Sequence, residues 1–346
     1  MYTIGVDLGK RHSQWAVMDE SGKVLVERKL RNCREIVQRF VRALPGKVSQ
    51  VGCETCINTY WLVEVLEEIG ITVTVGHALH LRLIAEARIK TDKIDARVIG
   101  ELLRVGFFPK VTLPPREIRE VRELLRGRVK LARNVTQAKN RIHGLLTRAG
   151  VDYEAKELRG VGVEAWLAGL ELRPCQRFMV ETFLKTWKEV EGHVERIEAE
   201  LVRQVKLVGP WAAVVERLQT VPGIGLFSAL LLFLELWDME RFASPKKLAS
   251  YVGLVPGVHQ TGQTLRGGAL TKQGNVYVRW VLMQCAWAAV RWDARYRGMF
   301  EYYAKRKART RAIIPVARQI LTDVYEVWKR GITYKELMEK KQRQPA

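Results

Sequence analysis

The chain has 346 residues, 47% of them hydrophobic, and carries 58 lysines and arginines against 37 aspartates and glutamates, a net charge of +21. The length suits two or three domains of ~150 residues with sizeable cores; no run reaches the ~20 apolar residues of a membrane-spanning helix, and MYTIGVDLGKRHSQ does not read as a secretory signal. Five cysteines, an odd number, build no disulfide framework and fit a reducing cytosol. So one-sided a charge asks for a polyanionic partner, and nucleic acid is favoured over an anionic membrane because the basic residues are spread over several segments.

The first third alternates strands and helices. Tyr2–Leu8, Ser13–Met18 and Lys23–Leu30 read as three β-rich runs separated by Gly9-Lys10 and by Glu20-Ser21-Gly22. A helix is expected at about 35–43, a strand at 51–54, a helix at 60–68, a strand at 72–75, and helices at 79–88 and 93–105. A meander followed by alternating helices and strands predicts an α/β sheet covered by helices, closed by the prolines at 109, 114 and 115. From Arg116 the pattern turns helical. Leu125, Ala132, Val135, Ala138, Ile142 and Leu145 line one side of a long helix, whose other side is basic, with no acid between Leu124 and Val151. A second long helix over 181–206 would pair with the first as an antiparallel coiled coil. The remainder, from about Val214, reads as mostly helical with glycine-rich interruptions. These readings give three regions: 1–115, 116–210 and 211–335.

Four acids stand out in the strand-rich part. Asp7 ends the first strand, Glu54 ends the 51–54 strand, and Asp92 and Asp95 stand three apart at a helix start. Sites in open α/β sheets gather where strands end. Four converging carboxylates call for a cation, and hard oxygen donors suit Mg²⁺ or Mn²⁺ in phosphodiester chemistry. Each acid alone has a plainer reading: Asp7 as part of an Asp-Leu-Gly turn, Asp92 as a helix N-cap and Asp95 as an N3 acid.

Three further segments suit phosphate. VPGIG, with Gly223 and Gly225 before an apolar helix, resembles a helix-hairpin-helix, though a tight turn between packed helices fits as well. Residues 259–282 read as a flexible polar loop holding Thr261, Gly262, Gly267 and Gly268, with Arg266, Lys272 and Arg279 placed for phosphate. A hydroxyl there could attack phosphorus, or the loop could merely grip the backbone. Lys305, Arg306 and Lys307 open a basic run beside Tyr302 and Tyr303, and Arg126, Lys130, Arg133 and Arg141 are the candidate backbone contacts on the long helix. The lone Cys53–Cys56 spacing does not read as zinc, and of the six histidines only His259 lies near a candidate site.

The combination resembles the DEDD transposases of bacterial insertion sequences, the insertion-sequence one-ten family with its Piv-type invertase relatives. GVDLGK, Glu54 and TDKIDAR carry the N-terminal resemblance; VPGIG, RFASPKKLASYVGLVPG, the TG…RGG turn, LTKQGNVYVRWVL and RTRAIIPVARQIL carry the C-terminal one. It implies a RuvC-like, ribonuclease-H-like first domain, a long helical coiled-coil region and a mostly helical C-terminal transposase domain with a helix-hairpin-helix. It also implies that Asp7, Glu54, Asp92 and Asp95 bind Mg²⁺, and that the family's nucleophilic serine position is held by Thr261, a departure whose β-methyl restricts χ1. A bridge RNA pairing with donor and target DNA, a dimer or tetramer on DNA, and action in the bacterial cytoplasm are implied likewise. The competing readings are a water-using, Holliday-junction-type nuclease, a sugar-kinase or actin-like ATPase, and a catalytically weak DNA- or RNA-binding protein.

Overall fold

The computed structural model describes residues 1–84, 91–154, 158, 162–261 and 264–343, and their side chains except over 258–269. They form two compact units, Met1–Leu113 and Pro114–Ala346. The first holds β1 (Tyr2–Leu8), β2 (His12–Met18), β3 (Val24–Arg31), α1 (Arg34–Arg42), β4 (Val48–Glu54), α2 (Thr59–Glu67), β5 (Val73–Gly76), α3 (Ala78–Ile84) and α4 (Asp92–Arg104). The sheet order is β3-β2-β1-β4-β5, antiparallel through the first three strands and parallel from β1 to β4 to β5. The expected helix at 79–88 is seen as far as Ile84; residues 85–90 lie outside the described part.

Strand alternation assigns the two faces of this sheet. Ile4, Val6, Trp15, Val51 and Cys53 share a core with Val37, Phe40, Leu62 and Leu66 of α1 and α2. The opposite face takes α4, whose Ala96 packs with Ala16 and Met18. Contact there is backbone on backbone: a Cβ added to Gly5 would lie 2.0 Å from the Ala96 carbonyl oxygen and 2.4 Å from the Gly100 nitrogen. Two covered faces explain why β1 and β2 are buried almost throughout.

The second unit holds α5 (Arg116–Arg148), α6 (Val163–Gly169), α7 (Pro174–Leu207), α8 (Gly209–Gln219), α9 (Leu226–Leu236), α10 (Pro245–Val252), β6 (Pro256–Thr261), β7 (Thr264–Leu270), α11 (Val276–Trp292), α12 (Ala294–Ala304), α13 (Arg309–Arg330) and α14 (Tyr334–Arg343). The helices α5 and α7 run antiparallel, since Arg128 pairs with Glu198 and Lys139 with Glu191. Their pairing is continuous, but their cores are not. Ile118, Val121, Leu125, Leu201 and Val205 belong to one core with α8 through α14. Ala138, Ile142, Leu146, Val180 and Trp187 form a separate one with Leu158, Val163 and Leu167. The boundary expected at 210/211 therefore does not separate two cores, because the helix pair begins inside the C-terminal one.

The flexible polar loop expected over 259–282 is corrected by a β-hairpin that ends at Leu270 and by α11, which begins at Val276. β6 pairs with β7 antiparallel, with His259 opposite Arg266 and Thr261 opposite Thr264. Gly267 and Gly268 suggested a loop, yet a ladder of backbone hydrogen bonds tolerates glycine that strand propensity disfavours.

Candidate active site and nucleic-acid interface

Register and periodicity set the four acids on one face of the sheet at the strand ends. β1 and β4 are parallel with Val6 opposite Cys53, so Asp7 and Glu54 stand next as neighbours at the C-terminal ends of adjacent strands. Gly5 faces α4, and so does Gln50, whose Nε2 donates to the Leu103 carbonyl at 3.3 Å. Asp7 and Glu54 stand two and four residues further along their strands and share that face. On α4, Asp92 and Asp95 continue the stripe of Ala96, Ile99, Gly100 and Leu103, all four buried against the sheet. Ala96 meets Gly5 while Leu103 meets Gln50, so α4 runs against the strands and its first turn lies at their C-terminal ends.

The plainer reading of the helix start is corrected here. Thr91 is the N-cap, its Oγ1 accepting from the Ile94 nitrogen at 3.3 Å, so neither Asp92 nor Asp95 caps the helix. Asp7, Glu54 and Asp95 are half-buried and Asp92 is exposed. Among the described residues no group of three or more His, Cys, Asp or Glu side chains stands close enough to hold a metal ion. The carboxylates share a face and an edge without closing around a point.

Several residues around this edge carried no local sequence signal. Gln14 lies opposite Asp7 on β2, on the same face, and is only 6% exposed. Asn32 and Asn58 both donate through Nδ2 to the Gly9 carbonyl, at 2.8 and 2.7 Å, tying the turn after Asp7 to the start of α2 after Glu54. Their Oδ1 atoms are buried without a hydrogen-bond partner. His77 comes directly after β5, the strand beside Glu54, and stacks on His80 at 4.4 Å; burial, with His80 adding to it, lowers its pKa. Strand pairing, invisible in sequence spacing, sets Gly76 opposite Glu54, so His77 follows directly on Glu54's strand neighbour. Cys53 belongs to the opposite face, where burial pushes its thiol up to about 12, and it is a core residue.

In the second unit, Thr261 ends β6 next to residues 262 and 263, which lie outside the described part, as do the side chains of Thr261 and Arg266. Lys272, with φ +52°, is exposed just beyond β7. Arg279 is engaged internally, Nη1 donating to the Val252 carbonyl at 2.9 Å. Ser244 caps α10, accepting from the Lys247 nitrogen at 3.3 Å. VPGIG joins α8 to α9; Gly223 has φ +84°, and an added Cβ would lie 2.3 Å from the Cys285 carbonyl oxygen, so it serves helix packing. An added Cβ at Gly225 would meet nothing.

The basic residues of α5 divide in two. Lys130, Arg133 and Arg141 are exposed, Arg141 lying 5.4 Å over the Phe183 ring. Arg126 is instead bound to the fully buried Glu235, Nε and Nη2 donating at 2.7 and 2.9 Å. Its spacing on the basic face gave no hint of a buried acid 109 residues away. Lys305, Arg306 and Lys307 are exposed after α12, the last two over the rings of Tyr302 and Tyr303.

Comparison with known proteins places both units. The IS110 DEDD model, described as a transposase, matches residues 4–150, and the model described as "Transposase IS116/IS110/IS902 family" matches 215–301. A probable family 20 transposase of Pseudomonas aeruginosa is 30% identical over 328 residues, covering 90% of this chain and 92% of that protein. The transposase for insertion sequence element IS1328 of Yersinia enterocolitica is 27% identical, covering 82% of each chain. That for IS1111A of Coxiella burnetii is 24% identical over 96% of this chain and 91% of its own. Because the first match spans the acidic edge, the second spans the Thr261 hairpin, and full-length relatives run through both, the chain belongs to the IS110 family of insertion-sequence transposases.

Proposed function

We propose that this transposase cleaves and rejoins DNA strands with two chemical parts: an acidic, RuvC-like metal site formed by Asp7, Glu54, Asp92 and Asp95, and a hydroxyl nucleophile, Thr261. The observation that supports the reading is that all four carboxylates lie on one sheet face at the strand ends, with Thr91 rather than either α4 aspartate capping the helix. Oxygen donors of this kind would hold Mg²⁺ or Mn²⁺, which, when bound, offsets phosphate charge and eases deprotonation of an attacking oxygen. As placed, the described carboxylates do not close into a three-donor group.

Thr261 supplies the covalent part. Its Oγ1 loses a proton and bonds to phosphorus as the bond to one strand's oxygen breaks, and that oxygen takes up a proton. The resulting ester preserves the phosphodiester's energy, so attack by an incoming strand hydroxyl releases threonine and rejoins DNA. Arg266 and Lys272, within or beside the hairpin in sequence, would offset charge on the transferring phosphate. The net charge of +21, and exposed cations on α5 and after α12, support a structured guide RNA as well as DNA, with base pairing reading sequence while the protein, as a homo-oligomer, holds backbone.

Thr261→Val keeps the side chain's shape and removes its oxygen. With DNA carrying the insertion-sequence end, element RNA and Mg²⁺, the parent should give a protein–DNA complex that survives a denaturing gel and Thr261→Val should give none. Thr261→Ser should match or exceed the parent, since losing the methyl frees χ1. An undiminished adduct in Thr261→Val would move the nucleophile elsewhere; cleavage with no adduct in any variant would establish the water-using nuclease.

A further inference from the structure

We infer that Glu235 is a positioning residue for strand transfer: its buried carboxylate, shared between Arg126 of α5 and Asn275 at the N-cap of α11, ties the segment that follows the β6–β7 hairpin to the basic helix. The inference rests on the reading of Thr261 as nucleophile and adds to it the residues that hold its strand in place.

Glu235 is fully buried near the C-terminal end of α9. An isolated charge there would be costly, so its partners show what the site is built to hold. Arg126 grips both carboxylate oxygens, and its guanidinium lies 5.1 Å over the ring of Tyr277 on α11. Arg122, one turn earlier on α5, approaches to 3.8 Å and donates twice to the Leu234 carbonyl, at 2.9 and 2.7 Å. From the other side, Asn275 Nδ2 donates to Glu235 Oε2 at 2.8 Å.

Asn275 completes the connection. Its Oδ1 accepts from the Tyr277 and Val278 nitrogens at 3.0 and 3.1 Å, capping α11 just after the hairpin. Its backbone nitrogen reaches the Tyr251 carbonyl at 3.4 Å, and the Thr271 nitrogen donates to the Val255 carbonyl at 3.0 Å. Val255 directly precedes β6 and Thr271 comes directly after β7, so both feet of the hairpin are tied together and, through Asn275, to Glu235. On α5, Lys130 and Arg133 lie four and seven residues beyond Arg126, along one stripe, and are exposed. One carboxylate thus joins the start of α11, five residues past the hairpin that carries Thr261, to the helix face where exposed cations begin.

Both halves of this link can be broken without emptying the interior. Asn275→Asp keeps an acceptor for the α11 cap but sets a second carboxylate against Glu235. Adding Glu235→Gln removes the carboxylate–carboxylate repulsion and restores a donor–acceptor pair, because the new amide donates to the new carboxylate and its oxygen accepts from Arg126 Nε, while the second prong, from Arg126 Nη2 to Oε2, is lost. Arg126→Lys keeps the charge and loses the two-pronged grip.

Each variant is measured for thermal midpoint, affinity for a fluorescent duplex carrying the insertion-sequence end, and rate of covalent adduct formation on that duplex, with Thr261→Val in parallel. We expect Asn275→Asp and Arg126→Lys to keep duplex affinity within about twofold and to lose about tenfold or more in adduct rate, as misplacement of a reacting group does. The Asn275→Asp, Glu235→Gln double variant should recover part of that rate. Unchanged adduct rates in the single variants overturn the proposal. So does an adduct rate that falls only in parallel with thermal midpoint and affinity, or a double variant no better than Asn275→Asp. An adduct that persists in Thr261→Val overturns the nucleophile reading itself, and is distinguished because it leaves the parent and that variant alike.

Discussion

The two units use carboxylates in opposite ways. In the helical unit, Glu235 and Asp323 are fully buried and surrounded by donors: Arg126 and Asn275 for the first; Arg295, Tyr296, Gln319 and Lys341 for the second, at 2.8, 2.8, 3.2 and 2.9 Å. In the sheet unit, Asp7, Glu54, Asp92 and Asp95 lie on one face at partly exposed strand ends, and Thr91 does the capping. A buried acid ringed by cations holds a fold together; acids collected at strand ends without a capping role suit a cation from outside the chain. Residue type does not distinguish them. Surroundings do.

That contrast breaks first if the edge acids prove structural. Asp7→Asn, Glu54→Gln, Asp92→Asn and Asp95→Asn should each abolish strand transfer, by about a hundredfold or more, while leaving the thermal midpoint close to the parent's. Excess chelator should do the same to the parent. Wild-type rates in two of the four variants, or full activity in chelator, would end the metal-site reading.

The opposite behaviour is expected inside the helical unit. Glu235→Ala leaves Arg126 and the poorly exposed Arg122 without their acid and should cost about 3–5 kcal/mol in urea unfolding. A loss under about 1 kcal/mol would place Glu235 with ordinary surface pairs. The basic helix offers a third test. Replacing Lys130, Arg133 and Arg141 by Gln should flatten the salt dependence of nucleic-acid binding by about 0.7–0.9 log units for each phosphate no longer neutralised, with little change in stability. An unchanged slope would move the interface off α5.

Asp323 sharpens the comparison through pH. Burial pushes its carboxyl up, but hydrogen bonds from Lys341 and Arg295 outweigh burial and hold it below the ordinary carboxylate range. A group depressed on folding contributes stability that is complete above its unfolded pKa of about 4 and is lost as pH falls through the folded value. Asp323→Asn should therefore be less stable than the parent at neutral pH, by about 1–3 kcal/mol, and the gap should close on acidification. A gap independent of pH would show that packing, not charge, is what Asp323 supplies.

Much of the first unit was legible because its signals are local. Strand β1 falls where the alternating run ends at Leu8, and α4 begins within a residue of the expected start. The acids were legible for the same reason, each sitting at the end of an element that periodicity marks. The β6–β7 hairpin was not, because glycines at 267 and 268 mask a ladder formed by backbone groups rather than side chains.

By itself, then, the sequence determined the α/β and helical halves, the strongly basic charge and the standing of four acids at element ends, since charge sums along a chain and hydrophobic periods are read within a dozen residues. Tertiary structure alone decided which cations face solvent. Arg126, Lys130 and Arg133 are equivalent on a helical wheel, yet only Arg126 of the three meets Glu235, an acid brought to it by packing of α9 on α5. It likewise decided that Gln14 lies opposite Asp7 and that Asn32 and Asn58 hold the turn after it. Strand register and backbone contact put them there, and neither leaves a mark on the spacing of residues along the chain.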